Sequence, residues 1–171
     1  MKMMLGWLLA LTLVAVATFF LLGPQRVWQM TVGNPDTGAM SVDTITRTGK
    51  PNDALMVPIW ASEQQDSTPI PAFAVDADTL YTTLVARIEA LGTVTWAEQD
   101  ATERYARGIT FSPGLKFPDI NHIWAVEGKD GTSGLFLYAA AQMGISDQGK
   151  NRERLEGWLT LLDDLPRAQT P

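Results

Sequence analysis

Residues 3–23, MMLGWLLALTLVAVATFFLLG, carry no charged side chain. As a helix rising roughly 1.5 Å per residue they would reach about 31 Å. A bilayer's hydrocarbon core is about 30 Å thick, so one span fits. Trp7 and Trp28 lie near its two ends, where aromatic rings favour the interface. Gly23-Pro24 predicts the end of the helix. A cleaved signal peptide is the rival, because Ala15-Val16-Ala17 has the small-x-small form of a cleavage site. Cleavage there would leave Thr-Phe-Phe-Leu-Leu as an exposed apolar terminus, and there is no cysteine to carry a lipid. Residues 1–26 are therefore expected to be an uncleaved anchor, held in the lipid bilayer through residues 3–23.

Lys2 and the α-amino group precede this stretch, and Arg26 follows it, with Arg47 and Lys50 further on. A short basic N-terminus usually stays inside. The expected arrangement is single-pass in a cell (inner) membrane, with the C-terminal domain periplasmic or otherwise extracytoplasmic. One span without internal charge argues against a channel or transporter.

The charge balance removes further classes. The chain has 13 Lys+Arg and 19 Asp+Glu, a net charge of −6. All the acids lie beyond residue 26, so the exported part is more negative still. Such a surface repels phosphate polymers, and no nucleic-acid partner is expected. With no Cys and one His there is no disulfide framework, no thiolate nucleophile and no multi-His metal site. No metal and no cofactor is expected, since glycine-rich phosphate motifs are missing as well. At 46% hydrophobic and 19% charged, the chain should fold.

Four segments are expected. After the anchor, residues 27–68 are rich in breakers: Asn34-Pro35-Asp36, Thr37-Gly38 and Gly49-Lys50-Pro51-Asn52-Asp53. No helical period survives there. They read as a juxtamembrane spacer partly docked on the domain, with Val27–Val32 and Leu55–Trp60 as extended apolar pieces. Residues 69–166 form a globular domain, and 167–171 a disordered tail. Residues 69–75 suit an edge strand with prolines at its start. Leu80, Leu84, Val85, Ile88 and Leu91 give a helix over 77–91, capped by Asp76 or Asp78 and ended by Gly92. Alternation then predicts strands near 93–99, 103–111, 119–127 and 134–141. Arg107 and His122 interrupt two of the apolar faces, and Asp130-Gly131 marks a hairpin. Leu155, Trp158, Leu159, Leu162 and Leu165 give a last helix, started by Ser146 or Asp147 and stopped by Pro166. The expected fold is α+β: an antiparallel sheet of about five strands covered on one face by two helices. Its strand–helix–four-strands–helix order is TATA-binding-protein-like or helix-grip-like.

Phe117-Pro118-Asp119-Ile120, then a strand, then Gly144-Ile145-Ser146-Asp147-Gln148-Gly149-Lys150-Asn151-Arg152-Glu153-Arg154 form a pattern. It resembles the domain of unknown function 1499 family, many of whose members begin with one membrane segment. Gly144, Ser146, Asp147, Gly149, Asn151, Arg152 and Arg154 match that family's closing signature. The resemblance covers about 70–166 and implies a fold and a location rather than a reaction. Members typically carry arginine–serine–arginine before the signature glycine, where this chain has Ala140, Ala141 and Gln142. If those arginines bind an anion in the family, this chain lacks that ability.

The candidate ligand-binding residues are Asp119, Ser146, Asp147, Asn151 and Arg154. Their plainer role is a helix entry, with Ser146 or Asp147 as cap. Asp119 and His122 invite an acid–base reading, but strand residues three apart point to opposite faces. Asp163-Asp164 reads as a solvated helix end. Trp96, Trp124 and Trp158 are expected in the core, and Trp60 either pins the spacer or lines a cleft. The leading expectation is a non-enzymatic domain binding an envelope partner protein or a small apolar ligand. The alternatives are a hydrolase-like enzyme using Asp119, His122 or Asp147, and a purely structural assembly factor.

Overall fold

The computed structural model describes residues 2–63 and 66–168. Helix α1 spans Lys2–Leu22, and Met3–Leu22 is long and apolar enough to cross a membrane, with no residue buried. Gly23 breaks it at φ 84°, and Pro24 opens a second helix, α2, Pro24–Val32. The breaker-rich reading of 27–68 missed α2. Nine residues are too few to show a period, and a single aromatic, Trp28, supplies its anchoring contact.

The sheet has six strands, not five. They are β1 Asp53–Pro58, β2 Thr68–Ile70, β3 Val94–Asp100, β4 Tyr105–Phe111, β5 Pro118–Glu127 and β6 Ser133–Ala141. Their order is β2-β1-β6-β5-β4-β3, with β1 parallel to β2 and every other pair antiparallel. Two helices, α3 (Ala77–Ala90) and α4 (Lys150–Thr160), pack on one face. The expected α+β sandwich is present, and the strand at 68–70 lies at the edge.

The spacer boundary moves. Residues 53–58, placed in the spacer, are a strand that pairs with β6 over 53–56 and with β2 over 56–58, so the folded body begins before residue 69. The tail shortens too. Ala168 N donates to Ala72 O at 2.9 Å, and the Arg167 guanidinium lies 4.1 Å from the centre of the Phe73 ring. Residues 169–171, the rest of the expected disordered tail, lie outside the described residues.

The sheet is buried on both faces. Ala106, Ile123, Ala125, Leu135, Leu137 and Ala139 face the helices, against Leu80, Leu84, Ile88, Leu155 and Trp158. Tyr105, Ile109, Ile120, Trp124, Phe136 and Tyr138 face the other way, under Met40, Val42 and Ile45. Residues 34–48 thus form a strap across the face that the helices leave free. The alternation read as apolar against polar is, in β4 and β5, largely small against large. Gly108 shows why small residues are needed on the helix side: a Cβ there would come within 2.4 Å of Val94 Cγ1. Trp60 lies over the β5–β6 hairpin, 2.6 Å from where a Cβ on Gly134 would stand, and so pins the chain after β1.

Candidate functional site

Four of the five candidate ligand residues come together where β5 meets the start of α4. Gly149, at φ 79°, turns the chain into the helix. Asp147 accepts from Gly149 N at 3.0 Å and Asn151 N at 2.8 Å, covering backbone donors that the helix leaves open. Asn151, fully buried, donates to Asn52 O at 3.0 Å. Arg154, one turn on, reaches Asp119 at 2.6 Å, Asn121 Oδ1 at 3.3 Å and Asn151 Oδ1. Asn121 also donates to Thr110 Oγ1 at 3.0 Å. Ser146 stands apart: it is exposed, and among the described residues its hydroxyl accepts from Gln148 N at 3.1 Å.

The side chains are mutually consumed. Asn52, from the breaker-rich run, closes the network by donating to Ala141 O and Gly144 O. The cluster joins β1, β5, β6 and α4, and its geometry is that of a clasp. Burial raises the Asp119 pKa above its ordinary value, and this outweighs the opposing pull of Arg154. The pair is therefore under electrostatic tension, held by its hydrogen bonds.

His122 lies on the opposite face of β5, beneath the strap, and is fully buried. Asp119, His122 and Asp147 do not converge. The His122 ring is parallel to Trp124 (5.5 Å between centroids, 8°) and flanked by Tyr105 and Tyr138. Tyr105 Oη is 2.8 Å from its Nδ1. Met40 N donates to that oxygen at 3.4 Å. The ring's other nitrogen, Nε2, has no hydrogen-bond partner among the described residues. Burial pushes the His122 pKa down to about 4, assisted by Arg107 and opposed by Asp36.

Arg107 is the cross-strand neighbour of His122. The two residues that interrupted apolar faces in the sequence are one feature, a buried polar pair. Arg107 sits between Asp36 of the strap and Glu98 of β3, each at 3.2 Å. Its Nη1 has no hydrogen-bond partner among the described residues.

Further fastenings hold the strap. Gln142 donates to Pro35 O, and Tyr138 Oη reaches Thr46 O at 3.4 Å and Asp53 Oδ2 at 3.2 Å. Arg47 pairs with Asp53 at 2.7 Å. Burial opposes ionisation of Asp53, but Arg47 and the Thr48 N–H outweigh it and hold the carboxyl below its ordinary pKa. Burial and the same carboxylate raise the Tyr138 pKa.

An open cleft lies along each flank of the strap. One, of about 460 Å³, is floored by Tyr105, Trp124, Val126, Met40 and Val42 and rimmed by Glu98, Asp100, Glu103, Arg104 and Glu127. The other, of about 530 Å³, lies beside Val42, Ile45, Arg47 and Leu55. Among the described residues no cluster of His, Asp and Glu could hold a metal ion. Sequence reading missed the strap residues, because order there comes from contacts with distant strands. The interruptions at Arg107 and His122 were the available signal. No protein-family model matches the chain, and no curated protein matches it.

Proposed function

We propose that this protein is a single-pass, membrane-anchored envelope protein whose α+β domain binds a small ligand with an apolar body, without acting on it. In this reading residues 3–23 lie in the inner membrane and the domain faces the extracytoplasmic side. The closing signature at 144–154 supports a place among membrane-anchored members of the domain of unknown function 1499 family. The observation that carries the reading is the cleft beside the strap. It exposes the edge of an aromatic sheet face that the helices do not cover. Apolar concavities with a few polar rim groups are the usual form of small-ligand sites. The rim holds four carboxylates and one arginine, and Arg104 is already paired with Asp78 and Glu127. That balance favours a ligand with a basic or hydrogen-donating end over an anion.

The test is native mass spectrometry of the full chain released from detergent. The wild type is expected to carry a reproducible extra mass. A Val126→Arg variant, which fills the cleft, should lose it while keeping its circular dichroism spectrum. Bare polypeptide masses for both proteins, with no adduct on either, would sink the reading and shift weight to a partner protein.

A further inference from the structure

The end of the domain where β4 turns into β5 is tied directly to the last turn of α1. Phe19 lies three residues before the end of α1, about 5 Å along the helix axis. Its ring meets Trp28 at 5.4 Å between centroids, and Trp28 meets Phe117 at 5.0 Å. Trp28 Nε1 donates to Leu115 O at 2.7 Å. An aromatic stack thus runs from the apolar helix through α2 into the β4–β5 turn. Any membrane surface that ends at Leu22 must pass close to residues 112–117.

The same end of the sheet carries the loop between β6 and α4. Gln142 N donates to Pro118 O at 3.2 Å, which sets that loop beside the turn. Each loop presents a large apolar side chain to the outside: Leu115 is 45% exposed and Ile145 76% exposed. Charge is distributed accordingly. Residues 23–33, 112–117 and 142–149 together hold Arg26, Lys116 and one acid, Asp147. At the far end, the β3–β4 and β5–β6 turns and the start of α3 carry Asp76, Asp78, Asp100, Glu103, Glu127 and Asp130 against Arg104 and Lys129. A bilayer with anionic headgroups attracts the first end and repels the second.

We infer that the domain lies directly on the bilayer that holds its own anchor, with Leu115 and Ile145 inserted among the lipids and Lys116 at the phosphates. This rests on the reading of Met3–Leu22 as a membrane span. The docking fixes the strap and its clefts at a set height above the membrane, with the acidic end outward. Continuity with the span selects lipid as the occupant over a soluble partner. Apolar side chains inserted at the interface, beside basic residues, are how peripheral segments hold to membranes.

The chain has no cysteine, so single substitutions give unique labelling sites. Spin labels are placed on Leu13→Cys, Leu115→Cys, Ile145→Cys and Lys129→Cys in the full chain. Each is reconstituted in vesicles of phosphatidylethanolamine and phosphatidylglycerol. Collision with lipid-soluble oxygen is then compared with collision with a water-soluble nickel chelate. Labels at 115 and 145 are expected to favour oxygen several-fold over the label at 129, approaching the label at 13. A lipid-exposed label at 13 with water-exposed labels at 115 and 145 overturns the docking and leaves the span standing. A water-exposed label at 13 overturns both.

Discussion

Replacing Arg154 with Met should cost this fold about 3–5 kcal/mol at neutral pH, the range found when one partner of a buried ion pair is removed. The structure says where that cost comes from. The Asp119 side chain is 9% exposed and that of Arg154 18%, so water can replace little of the lost charge. Without its partner, the carboxyl escapes the penalty by binding a proton. That bounds the charge contribution. Holding a carboxyl of ordinary pKa 3.8 neutral at pH 7 costs at most about 4 kcal/mol, at 1.36 kcal/mol per pH unit. Asn121 Oδ1 and Asn151 Oδ1 also lose their donor. Each such loss is worth about 1 kcal/mol. The charge contribution fades as pH approaches 4, where the unfolded chain also binds the proton. The predicted destabilisation therefore shrinks to about 1–2 kcal/mol at pH 4, the hydrogen-bond remainder.

Urea unfolding followed by tryptophan fluorescence reads this directly, comparing variant and wild type at each pH. Trp124 and Trp158 are buried and report the core. Adding Asp119→Asn to the variant should recover most of the loss at pH 7, because no charge is then stranded. A loss at pH 7 below about 1 kcal/mol, the level of an exposed pair, would refute the reasoning. So would a loss of equal size at both pH values, which would make packing rather than charge its source.

Other positions carry their own predictions. His122 has a folded pKa of about 4 against 6.5 unfolded, so the unfolded chain takes its proton first as pH falls. Its contribution is complete above pH 6.5 and drains away towards pH 4, by about 3 kcal/mol in all. His122→Phe should flatten the stability profile in that window, and an unchanged slope would count against a buried neutral histidine. Asp119 slopes the opposite way above pH 3.8, so the comparison must be made as a difference between the two proteins. Gly108→Ala should cost about 1–3 kcal/mol through forced movement of Val94 and Trp96, measured in the same urea assay. An unaffected midpoint would mean that β3 moves freely on β4.

The part of the fold legible in the sequence is the part built on local periodicity. The 3.6-residue spacing of Leu80, Leu84, Val85 and Ile88 and the cap at Asp76, which accepts from Thr79 N at 2.7 Å, made α3 readable. The alternation through β3 to β6 was readable for the same reason. Strand β1 was not, because Pro58 and a flanking Pro51 make its six residues look like a loop. Its strand character comes from pairing with β6. The strap is the extreme case. Asp36 is ordered by Arg107 and Met40 by Tyr105, partners more than sixty residues away. No local rule carries such information.

The two sheet faces carry different polar groups. On the helix face, Asp119, Asn121, Asn151 and Arg154 spend their donors and acceptors on one another and on the backbone, which makes the signature region a clasp. On the strap face, His122 Nε2 and Arg107 Nη1 are buried with no hydrogen-bond partner among the described residues, as are Trp96 Nε1 and Ser133 Oγ on the helix side, at a cost of about 1–3 kcal/mol each if no water reaches them. A fold optimised only for stability would replace His122 and Arg107 with apolar side chains, as isosteric replacement of buried charge is often neutral or stabilising. They lie under an irregular strap fastened by ion pairs at Asp36 and Arg47 and packed by Met40, Val42 and Ile45, where the other face is covered by two helices. Ligand exchange needs a cover that can lift. In the proposed reading binding belongs on the strap face, while the signature region on the opposite side, with Asp119, Asn151 and Arg154 bonded to one another and to the backbone, holds the fold together.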